Sequence, residues 1–149
     1  MKTELVKDWM TPNPFTVTPD LPLPDAHKLM TDHRIRRLPI VDHAGHLVGI
    51  ITRGDIRGAQ PSEATSLSVF EIHYLLSRLT LERIMTRNPV TVAPTATIHD
   101  AALIMLKNKI AGLPVVDGGK VVGIITESDI FRLVVKAWDQ EMHKPAPAA

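Results

Sequence analysis

Met10-Thr11-Pro12-Asn13-Pro14 returns 75 positions later as Met85-Thr86-Arg87-Asn88-Pro89. The register holds through Thr16-Val17 and Thr91-Val92, Asp25-Ala26 and Asp100-Ala101, and Leu38-Pro39 and Leu113-Pro114. One residue drops out after Asp42 and Asp117, and at an offset of 74 Val48-Gly49-Ile50-Ile51-Thr52 matches Val122-Gly123-Ile124-Ile125-Thr126, with Asp55-Ile56 matching Asp129-Ile130. Identity at about half of the aligned positions makes the two segments copies of one supersecondary unit. Whatever this chain folds into must be something that one unit can build twice.

Each copy reads in the same order. Phe15 to Thr18 and Val90 to Ala93 are short, rich in β-formers and closed by proline, which predicts a first strand. A helical pattern follows: Ile98, Ala101, Ala102, Met105 and Leu106 recur at helix spacing behind a Thr97–Asp100 capping box, and Pro24 starts the equivalent helix of the first copy. The runs Leu38 to Val41 and Leu47 to Thr52 flank a polar turn, as do their counterparts around Asp117-Gly118-Gly119-Lys120, and predict two hairpins. A last helix is expected from Thr126 to about Ala137, while its partner after Thr52 is interrupted by Gly58 and Pro61. The fold class is therefore mixed α and β (α+β), two tandem β-α-β-β-α repeats. One module is expected over residues 1–140, with a first repeat at 5–60, a linker and helix at 61–80, a second repeat at 81–137 and a flexible tail at 141–149. Within the linker, Ser68-Val69-Phe70-Glu71 opens a helix to about Leu79 whose stripe of Val69, Ile72, Leu76 and Leu79 is expected to pack on the core or on a sister chain.

Composition narrows the function classes. Seventeen Lys and Arg against sixteen Asp and Glu leave a net charge of +1, and aromatic residues are 4% of the chain, so neither a basic surface nor a stacking platform favours nucleic acid. With no cysteine there is no disulfide framework and no thiolate chemistry, and with neither a long apolar run nor a leader-like start the expected setting is cytoplasmic, off the membrane. Seven histidines lack zinc-site spacing, which argues against a metal. No glycine-rich phosphate loop, nucleophile elbow or partnered acid–base pair is present, so no catalytic residue is assigned and no enzyme is expected.

The recurring Thr-x-x-Asp, Thr52 with Asp55 and Thr126 with Asp129, falls where a strand turns into a helix. Read from the residues alone it is a capping pattern. The same turn also offers free N–H groups to an anion and a carboxylate to vicinal hydroxyls, and the two uses are compatible.

Taken together, Met-Thr-x-Asn-Pro, Leu-Pro-Val/Ile-Val-Asp and Gly-Ile-Ile-Thr-x-x-Asp, each present twice from Leu5 to about Val135, make the chain resemble the CBS family in its paired form, the Bateman module. The resemblance implies two repeats packed about a pseudo-twofold axis, with clefts between them that commonly take adenosine compounds such as AMP, ADP, ATP or S-adenosylmethionine. It implies Asp55 and Asp129 as ribose-hydroxyl acceptors, Thr52 and Thr126 as ribose or phosphate contacts, and Thr16-Val17 and Thr91-Val92 at the adenine edge through backbone groups and apolar contact. No cofactor is required. The first copy carries Arg34, Arg36, Arg37 and Arg53 where the second has Lys109, Ala111, Gly112 and Glu127, so phosphates are expected to favour the arginine-lined cleft, with Arg36 and Arg37 as contacts, unless these are solvated surface charges. A homodimer through apolar helix faces is implied as well, with a separate, unidentified protein receiving the signal. The competing reading is an assembly module whose motifs are caps and turns and which binds nothing small.

Overall fold

The computed structural model describes residues 3–62 and 65–143. In chain order these form α1 (Val6–Trp9), β1 (Thr11–Pro12), α2 (Leu23–His33), β2 (Arg37–Val41), β3 (Leu47–Thr52), α3 (Arg53–Ala59), α4 (Val69–Arg78), α5 (Leu81–Ile84), β4 (Thr86–Arg87), α6 (Ile98–Asn108), β5 (Gly112–Asp117), β6 (Lys120–Thr126) and α7 (Glu127–Met142). They divide into two compact units, neither of which is a continuous stretch of chain. The first takes in the described residues up to Asn13, Val90–Gly118 and those from Val122 onward; the second takes in Pro14–Pro89 and Gly119–Val121.

The first unit has a three-stranded sheet ordered β1-β6-β5, with Thr11 opposite Ile124 and Pro12 opposite Gly123. Pro12 is tolerated because its strand lies on the sheet edge, where a missing N–H leaves no ladder bond unmade. The second unit repeats the plan as β2-β3-β4: Arg37 faces Thr52 and Leu38 faces Ile51 across the hairpin, and Thr86 and Arg87 face Ile50 and Gly49. The Met-Thr-x-Asn-Pro motif of each copy thus adds an edge strand to the hairpin of the other copy. Leu5 to Asn13, assigned by sequence to the first repeat, pack with the second repeat's hairpin.

The motif's residue types follow from this docking. Asn13 and Asn88 sit in the left-handed region, at φ 49° and 48°, a conformation asparagine tolerates better than most residues. Each then donates its backbone N–H to the neighbouring hairpin strand, Asn13 to Val122 at 3.2 Å and Asn88 to Val48 at 3.3 Å. The methionines lie over glycines. A Cβ at Gly49 would stand 2.5 Å from the Met85 sulfur, and a Cβ at Gly123 would collide with the Met10 sulfur.

Both predicted capping signals on the long helices are present. In α6 the Thr97 hydroxyl accepts from the Asp100 N–H at 3.1 Å and the Asp100 carboxylate accepts from the Thr97 N–H at 3.3 Å, while α2 opens with Pro24 in its first turn. Both helices close on a left-handed non-glycine residue, Arg34 at φ 53° and Lys109 at φ 54°. Each unit has its own apolar core. One gathers Val6, Val92, Ile98, Ala101, Met105, Leu113, Val115, Ile125 and Leu133; the other gathers Leu23, Ala26, Met30, Leu38, Ile40, Ile51, Ile56, Leu81 and Met85.

Three expectations are adjusted. The predicted first strands, Phe15 to Thr18 and Val90 to Ala93, shrink to single parallel bridges, Val17 to Ile40 and Val92 to Val115, because proline flanks each segment closely and supplies no donor. The last helix does not stop near Ala137: α7 continues to Met142 with His143 as its cap, so the first residues of the expected tail are helical, and residues 144–149 lie outside those described. On α4, where the Ser68 hydroxyl accepts from the Glu71 N–H at 3.1 Å, Leu76 and Leu79 pack against the second unit's core as the stripe suggests, but Val69 stays 67% exposed.

Candidate functional site

Strand β3 ends at Thr52 and feeds α3 through a reciprocal cap. The Thr52 hydroxyl accepts from the Asp55 N–H at 3.1 Å, and Asp55 Oδ2 accepts from the Thr52 N–H at 2.8 Å. Capping therefore holds the carboxylate beside the helix entrance, half-buried, while Asp55 Oδ1 has no hydrogen-bond partner among the described residues. Arg37, the register partner of Thr52, begins the adjacent strand; the carbonyl of exposed Arg36 accepts from the Arg53 N–H at 2.8 Å. In this unit the fold brings Thr52, Asp55, Arg36 and Arg37 together where the hairpin meets α3. Thr16 and Val17 are tied to the same sheet further along, Val17 donating to Pro39 at 3.1 Å and accepting from Val41 at 2.8 Å.

The other unit repeats the construction with different bonding. Asp129 Oδ2 accepts from the Thr126 N–H at 2.9 Å and from the Thr126 hydroxyl at 3.2 Å, and Oδ1 accepts from Arg132 Nη1 at 2.7 Å. Asp129 is the one charged residue among those described that is buried, at 5% exposure, and burial of a carboxylate demands such partners. Thr91 and Val92 mirror Thr16 and Val17, with Val92 donating to Pro114 at 3.1 Å and accepting from Val116 at 2.9 Å. The sheet takes the backbone groups of both valines and Val92 is in the core, whereas Thr16 and Thr91 are exposed.

Arg132 was not among the candidates read from the sequence. Its signal was present, an Asp and an Arg three apart on one helix face, but the first copy has Gly58 at that place, so the repeat comparison does not pick it out. Among the described residues no group of three or more His, Asp or Glu side chains is placed to hold a metal ion, and no helix is long and apolar enough to cross a membrane.

Two motif copies, two hairpins completed by exchanged edge strands and a Thr-x-x-Asp turn in each unit define a tandem repeat of one mixed α and β unit. The CBS domain family model matches residues 6–62 and 81–136, and the chain belongs to that family. The L-aspartate semialdehyde sulfurtransferase of Methanocaldococcus jannaschii is 39% identical over 130 residues; the match takes in 87% of this chain and spans about a quarter, 23%, of that protein. Among solved structures, the CBS domain pair of protein MJ0100 in complex with 5′-methylthioadenosine and S-adenosyl-L-methionine superposes with a TM-score of 0.76 at 38% identity, covering 91% of this chain and 98% of the other. CBSX2, a CBS-pair protein from Arabidopsis thaliana, in complex with AMP gives a TM-score of 0.75 at 28% identity, with 91% and 98% covered. CBS domain pairs are regulatory rather than catalytic modules.

Proposed function

We propose that the chain is a cytoplasmic, non-catalytic sensor that binds an adenosine-type ligand, AMP, ADP, ATP or S-adenosylmethionine, and passes the effect to a protein partner. Asp55 and Asp129 accept the ribose hydroxyls, Thr52 and Thr126 position them, and Thr16 and Thr91 present their backbone groups to the adenine edge. Arg36 and Arg37 favour phosphate at the turn that carries them, since a guanidinium fork matches phosphate oxygens.

The observation that carries this reading is Asp55. It is a carboxylate fixed by its cap through one oxygen, with the other oxygen free of partners among the described residues, in a chain whose relatives at 38% and 28% identity were solved with adenosine compounds. The Asp100 cap of α6 leaves the same oxygen free among the described residues, so what singles out Asp55 is its place at the strand-to-helix turn beside Arg36 and Arg37. The module is also proposed to pair with a second copy of itself through the outer face of α7, where Phe131, Val135, Trp138 and Met142 recur at helix spacing and all remain exposed. Light scattering reads the mass directly, and a monomer at all concentrations would remove that part of the proposal.

A thermal-shift panel of AMP, ADP, ATP, NAD(H) and S-adenosylmethionine on the wild type, Asp55→Ala and Asp129→Ala tests the ligand reading. A one-site ligand at about 100 times its Kd adds roughly 2.7 kcal/mol. At about 2–4 °C per kcal/mol for a chain near this size, the midpoint should rise by about 5–11 °C. Each variant is compared with its own ligand-free midpoint, because losing either carboxylate also loses a cap contact worth about 1 kcal/mol. Midpoints that no compound moves would hand the chain to the assembly reading.

A further inference from the structure

Asp55 and Asp129 hold the same place in their repeats but carry different loads. A carboxylate has roughly four acceptor positions. Asp55 spends one, on the Thr52 N–H. Asp129 spends three, two on Thr126 and one on Arg132. A ribose diol presents two donors, so Asp55 has room for both and Asp129, as bonded, has room for one.

Resting on the ribose reading above, we propose that Arg132 is a specificity-determining latch: its guanidinium occupies the Asp129 oxygen that a vicinal diol needs, which makes the Asp55 turn the tighter diol site and the Asp129 turn tolerant of a single hydroxyl. The two ends of the ion pair differ in mobility. The Asp129 side chain is 7% exposed and fixed by Thr126, whereas the Arg132 side chain is 66% exposed. The arginine is therefore the member that moves when a diol arrives, and because its partner is a buried carboxylate its departure costs at least what losing a surface ion pair does, a factor of about five or more in affinity. In the other repeat the corresponding residue is Gly58, where an added Cβ meets nothing within 4 Å, so the latch can be transplanted as well as removed.

The test is calorimetric titration with adenosine, which lacks phosphate, and with 2′-deoxyadenosine, which lacks one of the two vicinal hydroxyls. In an Asp55→Asn protein, where the Asp129 turn is left to report, Arg132→Ala should tighten adenosine about fivefold or more and leave 2′-deoxyadenosine within twofold; alanine keeps the helix intact. In an Asp129→Asn protein, Gly58→Arg should weaken adenosine by a similar factor. The latch is overturned if adenosine shifts less than twofold in both pairs, or if 2′-deoxyadenosine tightens as much as adenosine, which would make Arg132 a general electrostatic influence. If adenosine titrates into neither the wild type nor any variant while circular dichroism shows all of them folded, the ribose reading falls and the latch falls with it. Binding that depends on Asp55 but ignores residue 132 sinks the latch alone.

Discussion

Replacing Gly49 by alanine puts a Cβ 2.5 Å from the Met85 sulfur, 3.0 Å from its Cγ and 3.1 Å from the Thr86 carbonyl oxygen. Met85 is 9% exposed and belongs to the second unit's core, so its side chain has little open space to enter, and the carbonyl is backbone of the edge strand β4. The methyl group must either displace a core methionine or push β4 away from β3. Overpacking of this kind costs about 1–3 kcal/mol, which at about 2–4 °C per kcal/mol lowers the midpoint by several degrees. Gly58→Ala supplies the control. Nothing lies within 4 Å of a Cβ there and the residue is helical, so the same change should stabilise by about 0.4–1 kcal/mol. Urea unfolding of both variants and of Gly49→Ala/Met85→Ala reads the effect, with the double variant expected to fall short of additivity by about 1 kcal/mol or more, since the two residues share one space. Equal stability changes at 49 and 58, or strict additivity of Gly49→Ala with Met85→Ala, would refute the claim that these glycines exist to admit the exchanged methionines.

Lys109 caps α6 at φ 54°, where a side chain costs about 1 kcal/mol or more and glycine is free of the penalty, so Lys109→Gly should raise stability by about 0.5–1 kcal/mol after the loss to the unfolded chain's entropy. A lowered midpoint would mean that Lys109 makes a compensating contact. Asp42 is held below the ordinary carboxylate range chiefly by the His46 backbone N–H, with the Ala44 N–H adding to it. A depressed folded-state pKa contributes stability that is present above the unfolded value and lost as pH falls through the folded one. Midpoints measured from pH 6 down to pH 2.5 should therefore fall less steeply for Asp42→Asn than for the wild type below about pH 4, and parallel curves would exclude the turn as a contributor.

The elements themselves were legible because each has a local cause. Thr97 with Asp100, Pro24 and the two Asp-to-Gly hairpin turns act within a few residues of where they stand, and the apolar periods around them name their own buried faces. The exchange of edge strands was not legible for an equally physical reason. Identity between Met10-Thr11 and Met85-Thr86 reports that the two segments do the same work, but not on which hairpin each does it, because both hairpins present the same Val-Gly-Ile-Ile-Thr surface. The glycine that accepts a methionine is the same in either copy. Nothing in the pairwise pattern breaks that degeneracy; the choice is made by chain connections and packing that a sequence comparison of two copies does not contain.

The same reasoning explains why the candidate site was half visible. Thr52, Asp55, Thr126 and Asp129 stood out because duplication preserves them, and duplication is blind to whatever the copies do differently. Arg132 opposite Gly58 is such a difference, and it changes how many acceptor positions each carboxylate has left. Arg36 and Arg37 opposite Ala111 and Gly112 are another, and they change the charge beside only one turn. On the proposed ligand reading, the shared residues define what class of ligand both turns recognise, whereas the unshared ones set which turn fills first. An equilibrium between two arrangements can be biased by a ligand only as far as its affinities for them differ. If the proposed latch holds, symmetric turns would respond to one ligand in one step, whereas turns made unequal by Arg132 on one side and the arginine pair on the other would respond at two concentrations, or to two different adenosine compounds.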